Sequence, residues 1–471
     1  MSIREKRSEV IIIVIFVLIN VGLFIASSAS VDGSGQLHPT FTNASDGQRY
    51  WGVAVNLARD GRFVIGDESV TPLARAGPVP AIVFSIPIKL FGLENSAGWI
   101  VAGQCVLLYL TGIIFGRLGR AFNVNENLVC GLIVFNPNLI TLAHHAQSDL
   151  LFTFVLAALL GLLVPILREG NVAQKSNILW LGIFAGLLPL TRPLGFYVLL
   201  LTPVFFVLSR LVSPNPWKTS SRKTILGFFV AALTATIIML PWAYRNYLTF
   251  DQVSLTQSEG VMMQWHYNAL TKKIGNPDIM PNLRIYMEKY GVTEDCANDV
   301  RCRGGLTQAY FSAIAEIPRL EVLKALVLSY ASLFFSGGAS QLGRYLGLEP
   351  VNFSNFLTGN RGLALEARRI KSLFFSEAQL FMIFVLGAIV FAIVTRICGL
   401  VGVIYSVAEQ NARALSFLFL LIIVSFLGMY LFSSIARFRA PIEPILAVYA
   451  AVGITYFLSR DNKIEDSQFS R

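Results

Sequence analysis

Apolar runs dominate the chain, separated by short polar breaks. They lie at Val10–Ile25, Ala97–Phe115, Leu128–Leu142, Leu150–Leu167, Ile178–Leu190, Leu194–Leu208, Ile225–Trp242, Leu380–Val394, Ala414–Phe432 and Pro441–Leu458. A helix needs about 20 mostly apolar residues to cross a bilayer, so the pattern predicts about ten spans. Val79–Phe91 and Val322–Phe335 are shorter and read as helices lying in the outer interface. The first run follows Arg4, Lys6 and Arg7 and precedes Ala26-Ser27-Ser28-Ala29, which resembles a signal-peptide cleavage site. An uncleaved first span is the reading taken here, because many further spans follow.

Basic residues orient the spans, since Lys and Arg concentrate in cytoplasmic loops. With an inside N-terminus, Arg117 and Arg120, Arg168 and Lys175, Arg210 to Lys223, and Arg396 to Arg413 all fall inside. Two long segments are then outside, about Ser27–Ser96 and about Arg245–Glu377. The predicted fold is an all-α polytopic transmembrane helical bundle with amphipathic interfacial helices in both outer loops. Residues 1–245 form an N-terminal membrane catalytic module, 246–377 an outer-loop region, and 378–471 the last spans with a short cytoplasmic tail.

Composition narrows the class. Only 14% of the residues are charged, against about 25% in soluble domains. This excludes a soluble enzyme, a disordered chain and a nucleic-acid binder, even though 38 basic against 28 acidic residues leave a net charge of +10. There is no P-loop or Gly-rich nucleotide fingerprint, and no cytoplasmic segment is long enough for a nucleotide-binding domain. The polar chemistry is expected on the outer side.

Three groups of polar residues stand out there. In the first outer loop, Ser45 and Gln48 have capping-box spacing, which predicts a helix from Asp46 to Gly61. Its stripe of Val53, Ala54, Leu57 and Ala58 suits a helix on the membrane surface. Asp46 then sits in the first turn, where the helix dipole favours its ionised form. Such a carboxylate could act as a general base; an ordinary acidic residue at a helix start explains it equally. At the head of the fourth span comes His144-His145-Ala146-Gln147-Ser148-Asp149. Asp149 reads either as a functional acid facing a cavity or as a cap. Asp46, Asp149, His144 and His145 together have the donor chemistry for a divalent metal, although no spacing compels it. Finally, Arg75, Arg192, Arg245, Arg437 and Arg439 fall at outer span ends, against the positive-inside trend. The planar guanidinium fork suits phosphate, while snorkelling to lipid headgroups is the plainer account.

Of the five cysteines, Cys105, Cys130 and Cys398 lie in or beside apolar runs and read as packing. Cys296 and Cys302 share one outer loop and are expected to form a local disulfide in an oxidising compartment.

The order of these short motifs resembles the GT-C superfamily of polytopic glycosyltransferases, in particular its protein-mannosyltransferase and aminoarabinose-transferase branch. It runs from Asp46-x-x-x-Tyr50 and Gly61-Arg62-Phe63 through Leu90-Phe91-Gly92, Ser148-Asp149 and Thr191-Arg192-Pro193. It ends with Pro241-Trp242-x-x-Arg245-Asn246-Tyr247 and Arg437-Phe438-Arg439-x-Pro441-x-x-Pro444. The resemblance implies inverting transfer of a sugar from a polyprenyl-phosphate donor to a lipid, glycan or protein acceptor on the outer face. It implies Asp46 as base or acceptor-positioning group, Asp149 as the second acid, and the outward arginines as phosphate ligands. Tyr50, His144 and His145 are further candidate substrate contacts. Gly47 departs from the Asp-Glu pair of many members, so no role needing two adjacent carboxylates carries over. A transporter or flippase for polyprenyl-linked glycans is the rival reading, but the chain shows neither internal repeats nor polar residues near mid-membrane.

Overall fold

The structure, a computed structural model, describes residues 3–29, 46–64, 77–169, 175–200, 221–255, 259–293, 302–338, 342, 379–433 and 435–469. The described residues are almost wholly helical. The first half contains α1 (Ile3–Ala29), α2 (Gly47–Asp60), α3 (Pro78–Phe91), α4 (Leu93–Gly119), α5 (Glu126–Val134), α6 (Pro137–Ala143), α7 (Ser148–Glu169) and α8 (Lys175–Thr191). Then come α9 (Ser221–Phe250), α10 (Glu259–Ile274), α11 (Leu283–Lys289), α12 (Arg303–Glu316) and α13 (Arg319–Phe335). The chain closes with α14 (Gln379–Ala408), α15 (Gln410–Tyr430), a 3₁₀ turn over Ala436–Ile442 and α16 (Glu443–Phe469).

Seven helices among the described residues are long and apolar enough to cross a membrane: α1, α4, α7, α9, α14, α15, and α16 with its 3₁₀ lead-in. The protein is a polytopic helical membrane protein. The expected runs differ from this set for visible reasons. Leu128–Leu142 is two helices, α5 and α6, bent by 58°. Asn136 makes the break: its side chain accepts from the amides of Asn138 (3.0 Å) and Leu139 (3.3 Å), and Pro137 occupies the first helical position. α8 is apolar but shorter, as is α3. Of Leu194–Leu208, only 194–200 are described, and they are helical.

α7 runs through the centre, packed between α4 and α8. Around it, Leu108, Phe115, Phe152, Phe419, Phe426 and Tyr449 join α4, α7, α15 and α16 in one core. Lipid gives little hydrophobic drive between spans, so close backbone approach matters more here than in water. α14 and α16 cross at Gly402 and Gly453: a Cβ on the first would strike the Tyr449 carbonyl, and one on the second the Cys398 carbonyl. Only glycine permits that approach.

α2 ends as expected at Gly61, whose φ of +70° suits glycine and whose N–H donates to the Leu57 carbonyl. Its apolar stripe turns inward, not to the membrane surface. Val53 and Ala54 are buried, and Tyr50 and Ala54 pack with Phe84, Ile88, Ala97 and Ile100 of α3 and α4. Arg396 also differs from expectation. It lies within α14, buried, instead of in a cytoplasmic loop, because Glu443 of α16 pairs with it at 2.7 Å.

Candidate active site

Four chain segments meet at one end of the bundle. Asp46 is the N-cap position of α2, not its first turn, and its side chain does not cap the helix. It turns to Arg437 of the 3₁₀ turn, with Oδ2 2.7 Å from Nη2, and to Arg49 at 3.5 Å. Asp149, second residue of α7, accepts from the same guanidinium: Arg437 Nε lies 2.7 Å from its Oδ2. Its other oxygen pairs with Arg192, just beyond α8. One guanidinium thus joins the two carboxylates that the sequence set apart.

Burial makes these charges interdependent. Arg437 and Asp149 are 4% and 0% exposed, and a charge so enclosed needs a partner. Burial pulls the Asp46 carboxyl up, but Arg437 and Arg192 outweigh it and hold it below the usual carboxylate range. Burial likewise works against the Arg192 charge, and Asp149 overcomes that, leaving its pKa above the ordinary arginine value. The Tyr50 hydroxyl is pushed up by burial and by Asp46, so it stays protonated. Among the described residues, three arginines (Arg49, Arg192, Arg437) face two carboxylates, so 3 − 2 leaves the group with one net positive charge.

This group opens on a cavity of about 470 Å³. Asp46, Arg49, Tyr50 and Arg192 form its polar wall, with Arg437 behind Asp46. Phe196, Tyr197, Tyr430 and Phe438 are aromatic neighbours. Tyr430 and Phe438 stack with centroids 4.3 Å apart, and the Phe438 ring lies 6.0 Å and 5.9 Å from the guanidinium carbons of Arg192 and Arg437. The lining also includes Trp265 and His266 of α10, with Ser254 and Ser433. His266 Nδ1 is 3.2 Å from Ser433 Oγ, and burial lowers the His266 pKa. The arrangement offers a cationic seat for one anion, an ionised carboxylate beside it, and aromatic walls.

The other candidates go elsewhere. Arg439 is not at the cavity. It is 1% exposed, pairs with Glu443, and donates to the carbonyls of Leu333 and, at 2.9 Å, Ser336. Arg245 does not line the cavity either; its guanidinium carbon lies 4.7 Å from the Trp242 ring centroid, with Phe250 and Phe63 at 5.5 and 5.6 Å. His144 and His145 are buried behind the site: His144 Nε2 meets Asn20 Oδ1 at 3.0 Å, and His145 Nδ1 meets the Thr141 carbonyl at 2.6 Å. Burial and His145 push the His144 pKa down to about 3, so it is neutral. Among the described residues, no three or more His, Cys, Asp or Glu side chains group as metal ligands would. The proposed metal quartet therefore does not assemble. Arg75 and Cys296 lie outside the described residues, while Cys302 is disulfide-bonded.

Arg49, Tyr430, Phe438, Trp265 and His266 line the cavity without having been among the candidate residues of the sequence. Arg49 carried a signal, an arginine one turn after Asp46. Tyr430 ends an apolar span and Trp265 lies in an unpatterned loop, so neither did.

No family model matches the chain, and no curated protein matches it. Solved structures do. The Archaeoglobus fulgidus oligosaccharyltransferase in its apo form aligns with a TM-score of 0.53 at 15% identity, covering 97% of this chain and 52% of that one. The same enzyme tethered to an acceptor peptide gives 0.50 at 14% identity, covering 94% and 50%. ArnT from Cupriavidus metallidurans bound to undecaprenyl phosphate gives 0.40 at 15%, covering 94% and 76%. The chain spans about half the length of the oligosaccharyltransferase that it matches. At this identity the likeness is one of fold, and the fold is that of the GT-C glycosyltransferases.

Proposed function

We propose that this protein, with its GT-C fold, transfers a sugar from a polyprenyl-phosphate carrier to an acceptor on the extracytoplasmic face of the membrane. The observation that carries the reading is the seat around Arg437. Among the described residues one positive charge of the group stays uncompensated beside an aromatic-walled cavity, and a phosphodiester brings the one negative charge that balances it.

In the reaction, the anomeric carbon–phosphate bond breaks as the acceptor oxygen attacks from the opposite face. Charge builds on the departing phosphate; Arg192 and Arg49 stabilise it from the cavity wall, and Arg437, behind Asp46, adds its charge without lining the cavity. Asp46 faces the acceptor. A carboxyl held below its usual range is a weak base but a strong hydrogen-bond acceptor. It orients the attacking hydroxyl and takes its proton late, when the transition state has made that proton acidic. Asp149 touches no cavity surface; it fixes Arg192 and Arg437 in their forked geometry. Trp265 and His266 of α10 line the same cavity, and we assign them to the acceptor side.

The test is incubation of the purified protein with a panel of polyprenyl-phosphate sugars, comparing wild type with Arg437→Ala and Arg437→Lys. Arg437→Ala should weaken both lipid-phosphate binding and turnover, and Lys should restore charge but not the fork, giving partial recovery. A wild-type protein that turns over no donor in the panel yet moves polyprenyl-linked glycans across vesicles would favour the flippase.

A further inference from the structure

Two residues beyond Arg437, a second charged group lies wholly inside the protein and does not reach the cavity. Glu443 heads α16 and is 1% exposed. One of its oxygens pairs with Arg439; the other accepts from Arg396 of α14 at 2.7 Å and from the Asn136 amide at 3.1 Å. Arg439 also donates to the Leu333 and Ser336 carbonyls, at the C-terminal end of α13. A third tie comes from Asn138, whose amide donates to the Ala436 carbonyl at 3.0 Å.

Among the described residues the charges do not balance by side chains alone: two arginines meet one glutamate. The negative end of the α13 dipole supplies the rest through the two carbonyls on Arg439. The group therefore holds only while α13, α14, the α5–α6 bend and α16 are all in register. What these ties enclose is the 3₁₀ turn Ala436–Ile442, and that turn carries Arg437. Arg437 needs an accurate position, because Nε must reach Asp149 while Nη2 reaches Asp46.

We propose that Glu443, with Arg396, Arg439 and Asn136, is a buried latch that positions Arg437 from behind and so sets the strength of the phosphate seat. Glu443 is a positioning residue; it touches neither cavity nor substrate. The inference rests on the proposed function only for its binding measurement.

Glu443→Gln keeps the shape and removes the charge. Asn136→Ser is the milder change: it keeps a capping oxygen for α6 but loses the amide that donates to Glu443. Two readouts decide. In hydrogen–deuterium exchange of the purified full chain, Glu443→Gln should raise uptake in residues 436–442 and also in 46–50, tied to them through Arg437, while 182–240 stay as in wild type. Asn136→Ser should do the same to a smaller extent, which covers the case in which Glu443→Gln does not fold. In binding of a polyprenyl monophosphate, Glu443→Gln should weaken affinity by about 3- to 30-fold, the usual range for coupling through a network. Combined with Arg437→Lys it should add nothing further, because both act through one guanidinium. Additive losses would overturn the latch, as would raised uptake spread over the whole chain or confined to 436–442. If wild type binds no polyprenyl monophosphate, the donor reading fails, and the uptake comparison still decides the latch.

Discussion

Arg437 and Arg439 stand two residues apart on one 3₁₀ turn and serve separate networks. Arg437 holds Asp46 at the cavity and Asp149 behind it; Arg439 holds Glu443 and the end of α13. At three residues per turn, neighbours two apart lie about 120° apart around the axis, so they cannot share a face.

The chemistry is tested first at Asp46. Asp46→Asn keeps the size and removes the charge. Turnover should fall by roughly 10²- to 10⁴-fold, with polyprenyl-phosphate binding retained, since Arg437 keeps Asp149 and Arg192 keeps its own pairing. Equal loss of binding and turnover would show Asp46 to be a structural partner of Arg437 and nothing more.

Arg245 gives the opposite expectation. Its guanidinium lies among Trp242, Phe63 and Phe250 and ties α9 to the end of the first loop. Arg245→Ala should lower the thermal midpoint, by an amount corresponding to about 1–3 kcal/mol for several cation–π contacts and their packing. Lipid-phosphate affinity should stay within about twofold. A large affinity loss in a protein of unchanged stability would return Arg245 to the phosphate site.

Lys273 of α10 carries a pH dependence of known sign. Burial, with Lys272 nearby, pushes its pKa down from 10.5 to about 8, and its Nζ donates to the Phe432 carbonyl at 2.9 Å. Between those two values the unfolded chain binds a proton that the folded chain has shed. Stability should therefore rise through that window. The midpoint of wild type minus that of Lys273→Met, measured from pH 7 to pH 10, should climb. A flat difference would mean that the amine is not desolvated.

Cys302 is disulfide-bonded, and Cys296 is the expected partner. Thiol labelling of the folded protein should reach neither until reductant is added. A peptide map joining Cys302 to a different cysteine would correct the pairing.

Much of this was legible in the sequence, and the limits have physical causes. Asp46 stood out because Ser45 and Gln48 mark a helix start beside it, and Asp149, Arg192 and Arg437 because charge at the end of an apolar run is costly and therefore informative. Arg439, Arg245, His144 and His145 carried the same signal. Hydropathy does not record direction, so residues that turn to the cavity and residues that turn to a helix end or an aromatic cage look alike. Arg396 was misjudged for a related reason: its partner Glu443 is distant in sequence, and an arginine whose partner is unseen reads as a loop residue. The α5–α6 bend was written as Asn136-Pro137, but an apolar window averages across it.

The crossing of α14 and α16 at Gly402 and Gly453 works as a fulcrum. The head of α16, where Glu443 begins, lies ten residues from Gly453, a lever arm of about 15 Å at 1.5 Å per residue. Prying the helices apart with a Cβ that tilts α16 by about 5° would swing that head by about 1.3 Å, and a misplacement of about 1 Å can cost about 10² in rate. A methyl group at Gly453, remote from every charge in the site, would then be felt as a chemical defect.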